Sequence, residues 1–112
     1  MTKYVNLTPH KLVIYDKGGE NIKYEIEPSG TVARVKVEQE YCGMAGDVEV
    51  YKTRYGAVEG LPKPKPATYY IVSNIVLQAL KGVRKDIVAP DTSNAIRDEN
   101  GRIIGIKQFI VV

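Results

Sequence analysis

Hydrophobic residues recur in short runs through the first half of the chain, and several of these runs alternate with polar residues. The runs cover residues 4–7, 12–15, 22–26, 32–37 and 48–53. Turn-forming residues separate them, most clearly Asp16-Lys17-Gly18-Gly19 and Pro28-Ser29-Gly30. Because successive side chains of a strand point to opposite faces, period two predicts strands with one buried face. Strands at this spacing predict an antiparallel meander or a small barrel, with a break in the chain between Gly43 and Gly46.

Residues 56–67 have a different composition, with glycine and proline replacing the alternating pattern. The run Leu-Pro-Lys-Pro-Lys-Pro at 61–66 is expected to be extended and similar to polyproline. It contains no aromatic residue, and we therefore interpret it as a stiff connector. A docking segment for a partner protein is the alternative interpretation.

The pattern after the prolines predicts a strand, a short helix and a second strand. Residues 68–72 are β-branched or aromatic, Ser73 is a favourable helix N-cap, and residues 74–81 have helical spacing. Gly82 is placed to end the helix, and residues 85–89 form the second strand. This pattern indicates a compact parallel crossover, whose short length leaves open whether its two strands pair.

The C-terminal residues predict a β-hairpin. Asn100-Gly101 is the favoured two-residue turn, with positive φ at both positions, and it joins residues 95–98 to a long strand over 102–112. Together these elements predict an α+β fold that is mostly β, with an antiparallel meander or small barrel, one short helix and a C-terminal hairpin. We expect residues 1–112 to form a single domain.

The composition excludes several classes of function and says less about the fold. The chain has 112 residues and a net charge of +3, too mildly basic for a dedicated duplex-DNA binder. No apolar run is long enough to span a bilayer and no secretory signal is present, so we expect a cytoplasmic protein without membrane contact. One Cys and one His cannot form a zinc site or a disulfide, and we predict no metal and no cofactor. Eight Tyr, one Phe and no Trp are the unusual feature.

Two segments suggest a ligand site through the chemistry of adjoining residues. At the predicted helix start, amides near Ser73 and Asn74 are suited to a phosphate, with Asp91 and Thr92 at the same end of the sheet. In the run Arg54-Tyr55-Gly56, Arg can hold phosphate, Tyr can stack on a ring, and Gly lets a ligand approach the backbone. The alternative interpretations are an ordinary helix cap and an ordinary turn.

Further candidates are single residues. His10 follows a turn and is either a ligand contact or a polar residue at a strand start. Arg97 and Asp98 form either a surface hairpin pair or contacts to a neighbouring protomer's site. The complete set of predicted ligand-binding residues is His10, Arg54, Tyr55, Gly56, Tyr69, Tyr70, Ser73, Asn74, Asp91, Thr92, Arg97 and Asp98, and we predict no catalytic residue.

Several of these motifs together resemble a family of small proteins carried by bacteriophages and prophages. The motifs are Asn6-Leu7-Thr8-Pro9-His10, Arg54-Tyr55-Gly56 with Val58-Glu59-Gly60-Leu61-Pro62, Tyr70-Ile71-Val72-Ser73, and Arg97-Asp98-Glu99-Asn100-Gly101 with Ile104-Gly105. The resemblance runs over nearly the whole chain. A phage setting implies an analogy to the "sponge" proteins that counter bacterial immunity. Those proteins hold cyclic nucleotides or cyclic ADP-ribose-type signals at oligomer interfaces without cleaving them.

The predicted function is therefore a phage-encoded, non-enzymatic, homo-oligomeric protein that sequesters a nucleotide-derived immune signal in the host bacterial cytoplasm. Three alternatives remain open. One is a protein-interaction or virion accessory module that uses the proline-rich segment and an edge strand. The second is a small phosphodiesterase with His10 as base beside Asp91 or Asp98, which the single His disfavours. The third is single-stranded nucleic-acid binding by exposed Tyr, which we consider the less favoured partner class.

Overall fold

The computed structural model describes all residues, 1–112, and contains ten strands and one helix. In chain order these are β1 (Lys3–Asn6), β2 (Leu12–Tyr15), β3 (Ile22–Ile26), β4 (Arg34–Ala45), β5 (Val48–Glu59), β6 (Thr68–Ile71), α1 (Asn74–Leu80), β7 (Ile87–Pro90), β8 (Ile96–Arg97), β9 (Ile103–Gly105) and β10 (Phe109–Ile110). Strands account for 48% of residues and helix for 6%, which confirms the mostly-β α+β class. The strands form four separate sheets and no closed barrel.

The central sheet has the strand order β1-β6-β7-β10. Its first three strands are parallel, and β10 is antiparallel to β7. Tyr70 pairs with Ile87 across β6 and β7, so the short crossover through α1 does join neighbouring parallel strands. An antiparallel meander is therefore absent from the centre of the fold. The reason is that β1 pairs with a strand far away in sequence, which local periodicity cannot detect.

One face of this sheet carries the main hydrophobic core. Eight buried side chains form it: Leu7, Ala33, Tyr70, Val72, Val76, Leu77, Ile87 and Ala89. The helix contributes Val76 and Leu77 from its inward side, as the helical spacing predicts. Each fully buried aliphatic side chain of this kind stabilises the fold by roughly 1.5–3 kcal/mol.

The opposite face of the sheet is covered by the β2–β3 hairpin. Ile14 forms an isolated bridge with Ile106, and both side chains are buried together with Ile71 and Val88. In register, Tyr4 lies beside Tyr69 and Val5 beside Tyr70, so successive residues of β1 and β6 supply the two faces alternately. The sheet is thus covered on both faces, as parallel strands require.

The β4–β5 hairpin, here called the ribbon, contrasts with this layered body. Its strands have 12 residues each and pair only with one another. Ala45 pairs with Val48, leaving Gly46 and Asp47 as a two-residue loop with Gly46 at φ 66°. The predicted chain break at 43–46 is therefore wrong, because glycines serve as bulge and turn within one long hairpin. The radius of gyration is 16.4 Å, against about 13 Å for a compact chain of this length.

The predicted C-terminal hairpin is confirmed, but the prediction of one long second strand over 102–112 is wrong, because β9 and β10 are separate strands. The Ile106 amide donates to the Val13 carbonyl and the Tyr15 amide donates to the Ile106 carbonyl, so the chain leaves β9 to bond β2. It then turns and resumes as β10. At the hairpin loop only Gly101 has positive φ, and the Asp98 carboxylate accepts the amides of Asn100 and Arg102. The Asp side chain therefore selects a longer turn than the two-residue type.

A buried polar network explains the run Asn6-Leu7-Thr8-Pro9-His10 in structural terms. Asn6 is 1% exposed, and its Oδ1 accepts the backbone amide and the hydroxyl of Thr8. Its Nδ2 donates to the carbonyls of His10 and Ile26. Because Asn6 uses both ends of its amide, it fastens the β1–β2 connection to β3.

The proline-rich segment is attached to the body through its carbonyls. Arg84 donates to the Pro62 carbonyl at 2.7 Å, and the Tyr70 hydroxyl donates to the Lys63 carbonyl at 3.0 Å. Arg84 also pairs with Asp86 through two hydrogen bonds.

The single helix, α1, has seven residues, and no helix of the structure reaches the length and apolarity needed to cross a membrane.

Candidate functional site

Four aromatic rings gather on the sheet face opposite α1, and we call them the aromatic cluster. Tyr4 is at its centre, with ring-centroid distances of 5.5 Å to Tyr24, 6.2 Å to Tyr69 and 5.8 Å to Phe109. The Tyr4 and Tyr69 rings are stacked, whereas the Tyr4 and Tyr24 rings meet edge to face. Each such aromatic contact contributes roughly 0.5–1.5 kcal/mol beyond its buried area.

The sheet and its covering hairpin hold these rings in place. Tyr4 and Tyr69 are neighbours because β1 and β6 run parallel with those two residues in register. Tyr24 comes from β3 in the covering hairpin, and Phe109 comes from β10 at the far edge of the sheet. A fifth ring, Tyr15, lies against Gly105, where any side chain would overlap the ring. The rings are thus fixed by regular elements rather than by loops.

A cleft of about 360 Å³ opens beside the aromatic cluster, and we call it the tyrosine–lysine cleft. Its lining residues are Tyr4, Ile14, Tyr15, Asp16, Lys17, Lys23, Tyr24, Lys107, Gln108 and Phe109. The volume lies within the range of roughly 300–1,000 Å³ that is typical of small-molecule sites. Aromatic rings therefore form much of its wall, with polar groups at its margin.

Positive charge dominates the tyrosine–lysine cleft. Lys17, Lys23 and Lys107 line it, and none of the three forms an ion pair. The Nζ atom of Lys23 lies 5.9 Å from the Tyr24 ring centroid, within reach of a cation–π interaction. Three lysines without ion-pair partners, against one carboxylate in the lining, favour a ligand that is both planar and anionic.

The one acidic residue in the lining is occupied by a turn. The Asp16 carboxylate accepts the backbone amides of Glu20 and Asn21 and the side-chain amide of Asn21. These hydrogen bonds, with the Glu20 amide first, hold the pKa of Asp16 below its ordinary value. Asp16 therefore orders the β2–β3 turn and remains ionised at neutral pH.

Asp91 lies behind the tyrosine–lysine cleft and supports it through Gln108. Its carboxylate accepts Ser93 Oγ at 2.6 Å and Gln108 Nε2 at 2.6 Å, and the Asp91 amide donates to the Gln108 carbonyl. The hydrogen bonds from Ser93 and then Gln108 lower the pKa of Asp91. Asp91 is buried and positions the segment that carries Lys107 and Phe109.

Among the predicted site residues, the structure brings Tyr69 and Asp91 to this region. Tyr69 belongs to the aromatic cluster, and Asp91 supports the tyrosine–lysine cleft. Tyr70 lies on the other face of the sheet, buried in the core. Ser73 and Asn74 begin α1, where Ser73 makes no side-chain cap hydrogen bond.

The remaining predicted residues are spread over other surfaces. Arg54, Tyr55 and Gly56 lie on the ribbon, where Arg54 pairs with Glu40. His10 is exposed, and its carbonyl accepts hydrogen bonds from Asn6 and Thr8. Thr92 lies shortly after β7, and Arg97 and Asp98 belong to the C-terminal hairpin. The structure therefore does not assemble the full predicted set into one site.

Sequence reasoning missed all ten residues that line the tyrosine–lysine cleft. They are Tyr4, Ile14, Tyr15, Asp16, Lys17, Lys23, Tyr24, Lys107, Gln108 and Phe109. The excess of tyrosine was their only signal in the composition. Pairing of β1 with β6 brings the rings together, and that pairing has no local signature.

Comparison with known proteins gives this chain no relative from which to infer a function. No protein-family model matches it, no curated protein is significantly similar in sequence, and no solved structure is significantly similar in fold. No group of three His, Cys, Asp or Glu side chains lies close enough together to hold a metal ion. Function must therefore be inferred from the geometry and charge of the chain itself.

Proposed function

We propose that this protein binds a small nucleotide-like ligand in the tyrosine–lysine cleft and holds it without cleaving it. The observation that carries the proposal is the aromatic cluster beside three lysines that lack ion-pair partners. A base presents a flat ring for tyrosine to contact, and a phosphate presents the negative charge that lysine attracts.

The architecture of the tyrosine–lysine cleft supports binding rather than catalysis. Its lining contains no histidine, and Asp16, its one carboxylate, is engaged in turn hydrogen bonds. A general base needs a free proton-accepting group within hydrogen-bond reach of the reacting atom. The other charged groups of the lining are lysines, whose side chains suit the recognition of negative charge.

The biological part of the proposal rests on the resemblance of the sequence motifs to small phage and prophage proteins. In that setting the ligand is a nucleotide-derived immune signal, either a cyclic nucleotide or a cyclic ADP-ribose-like molecule. Holding such a molecule in the host cytoplasm lowers its free concentration by mass action, without chemistry.

Thermal shift and calorimetry against cyclic nucleotides and ADP-ribose isomers test the proposal. We expect at least one member to raise Tm in the wild-type protein and to bind about tenfold more weakly to Lys107→Gln. Lys65→Gln is the matched control, since Lys65 lies in the exposed proline-rich segment away from the tyrosine–lysine cleft. Binding that is equal in Lys107→Gln and wild type would contradict the proposed site, and no binding by any member would contradict the ligand class.

The fate of the ligand separates sequestration from phosphodiesterase activity. After incubation with protein and magnesium, the bound ligand is released by denaturation and identified by mass spectrometry. We expect it to be chemically intact. Recovery of a hydrolysed product would contradict a purely binding role.

A further inference from the structure

The ribbon carries a largely apolar face that the body covers only at its base. Val37 pairs with Tyr55 and Tyr41 pairs with Tyr51 on this face, with the hydrogen-bonded pair Gln39 and Thr53 between them, and Met44 opposite Glu49 continues it toward the tip. We call its five apolar residues, Val37, Tyr41, Met44, Tyr51 and Tyr55, the ribbon face. Tyr41 and Met44 are each 54% exposed and Tyr51 is 49% exposed. The Tyr41 and Tyr51 rings meet edge to face at 5.7 Å.

Between the base and the Tyr41–Tyr51 pair the other face of the ribbon is charged and self-compensating, whereas Val48 and Val50 occupy that face toward the tip. Glu38 pairs in register with Arg54, and Glu40 pairs with Lys52. Arg54 also forms an ion pair with Glu40, and Lys36 forms one with Glu38. The ribbon is therefore amphipathic, which is the pattern of a strand pair with one face against a covering layer.

The body of the protein supplies that layer only at the base of the ribbon. Val35 and Val58 pack against the main core, whereas the ribbon face beyond them is exposed. A two-stranded hairpin alone in water is only marginally stable, and it normally needs further strands or a packed face. The three ribbon tyrosines alone expose roughly 300 Å² of side chain, comparable with the largest apolar patches of monomeric proteins.

The charges along the ribbon are arranged so that its two ends complement each other. The tip segment 41–51 contains Asp47 and Glu49 but no Lys or Arg. Near the base, an open cavity of about 450 Å³ is lined by Lys81, which follows α1 and forms no ion pair, and by Thr53, Tyr55 and Ala79. Lys52 and Arg54 also line it, but their charges are balanced by Glu40 on the charged face. The acidic tip and the unpaired Lys81 beside the base favour antiparallel contact between two identical chains.

We propose that the occupant of the ribbon face is the same face of a second copy of this chain, with the two ribbons antiparallel. A twofold axis near the Tyr41–Tyr51 pair places the rings of both copies at the centre of the interface between the two ribbons. Val37 lies four residues from Tyr41, and the tip pair Ala45–Val48 lies three residues from Tyr51 along β5 because β4 has a bulge, so base and tip lie about 14 Å and about 10 Å from the axis. The acidic tip of each copy therefore lies toward the cavity that Lys81 lines at the base of the other.

This arrangement gives Tyr55 and Lys81 a role in assembly, because both line the cavity that receives the partner's tip. The area of the proposed interface is also within the range of known interfaces. The ribbon face forms the apolar centre, and the two tip–base contacts extend it toward the ~800 Å² that each partner buries in a standard interface. The inference is independent of the ligand in the tyrosine–lysine cleft.

Analytical ultracentrifugation of the full chain over a concentration series tests this inference. We expect a wild-type dimer and a dissociation constant raised at least about tenfold in Tyr41→Thr/Tyr51→Thr, since threonine keeps strand propensity but removes both rings. Ile103→Thr is the matched control, because Ile103 is an exposed strand residue outside the ribbon. Circular dichroism establishes that each variant is folded. A monomeric wild type, or a Tyr41→Thr/Tyr51→Thr variant that dimerises as tightly as wild type, would overturn the proposal.

A charge exchange tests the antiparallel orientation separately. Asp47→Lys and Lys81→Asp each place like charges between tip and base, and each is expected to weaken dimerisation. The double variant restores opposite charges and is expected to dimerise more tightly than either single variant. Dimerisation of the double variant at or below the strength of the single variants would overturn the tip-to-base contact.

Discussion

Tyrosines occupy two regions of this protein in contrasting ways. In the body, Tyr4, Tyr24 and Tyr69 pack around one another on a sheet whose other face rests on α1 and the main core. In the ribbon, Tyr41 and Tyr51 contact each other on a hairpin with no layer beneath the ribbon face. The tyrosines of both regions are partly exposed, but those of the body are backed by a packed sheet and those of the ribbon by no second layer.

The difference shows that the supporting layer decides what an aromatic side chain can do. Rings fixed on a covered sheet keep their geometry without a ligand, which is the requirement for a preformed binding site. Rings on an uncovered ribbon lower their free energy by meeting another apolar surface. We therefore assign ligand binding to the body and self-association to the ribbon.

The largest expected effect comes from the buried network that closes the body. Asn6→Ala removes the shared acceptor of the Thr8 amide and hydroxyl, the donor to the Ile26 carbonyl and one of the two donors to the His10 carbonyl. We expect the free energy of unfolding to fall by about 3 kcal/mol, because each buried unsatisfied group costs roughly 1–3 kcal/mol. Urea unfolding followed by circular dichroism measures the change. Asn94→Ala, at an exposed position, is the control and should stay within about 0.5 kcal/mol of wild type.

Exchanging tyrosine for leucine compares the two regions directly. Tyr4→Leu loses three ring contacts and should reduce the free energy of unfolding by about 1–3 kcal/mol. Tyr41→Leu loses one exposed contact, so the stability of the monomer should change by less than about 0.5 kcal/mol. Urea unfolding at low protein concentration keeps dimerisation out of the comparison. Equal losses in the two variants would contradict the distinction between the regions.

The acid stability of the body depends on the partly buried ion pair between Arg84 and Asp86, whereas the ion pairs of the ribbon are exposed. Hydrogen bonding to Arg84 lowers the pKa of Asp86 in the folded state. The unfolded chain therefore binds this proton more readily, and the stabilisation is complete above about pH 3.9, the ordinary Asp value. It is lost as pH falls through the lower folded pKa. Urea midpoints from pH 6 down to pH 2, roughly, should fall less steeply in Arg84→Gln than in wild type. Parallel pH profiles for the two proteins would contradict this assignment.

A smaller effect is expected from the close contact between Gly105 and Tyr15. Gly105→Ala places a methyl group where the Tyr15 ring lies, so the ring must move. We expect ligand affinity to fall several-fold, with a stability loss of about 1–2 kcal/mol from the displaced packing. Calorimetry measures the affinity. Gly18→Ala is the matched control, because the added methyl group has space there and the backbone φ is ordinary, as it is at Gly105. Gly18→Ala should bind ligand as wild type does. Gly30→Ala would not serve as a control, because Gly30 has positive φ and the substitution would add backbone strain.

Local elements of this fold could be predicted from the sequence because their causes are local. The boundaries of β2 and β3 coincide with residues 12–15 and 22–26, since alternation and flanking turns specify them. The helix also begins after Ser73 as its pattern predicts. The sequence pattern underestimates the ribbon, because the glycines at 43–46 predict a break, whereas Gly46 lies at the loop where positive φ continues a hairpin.

The candidate site was mostly hidden from the sequence because it is built by pairing between distant segments. Tyr4 and Tyr69 become neighbours only through the register of β1 with β6. Lys107 reaches the same cleft because the chain leaves β9 to bond β2 at Ile106. Arg54-Tyr55-Gly56 has suitable chemistry, but its position on the ribbon separates it from the aromatic cluster.

The division of roles between the two regions is tested most directly by one calorimetric titration series. A nucleotide that shifts the wild-type Tm is titrated into wild type, Tyr24→Thr and Tyr51→Thr, which place the same substitution in the tyrosine–lysine cleft and on the ribbon face. We predict that Tyr24→Thr binds at least about tenfold more weakly and that Tyr51→Thr binds as tightly as wild type. Loss of binding in Tyr51→Thr with full binding in Tyr24→Thr would contradict the assignment of the ligand to the body.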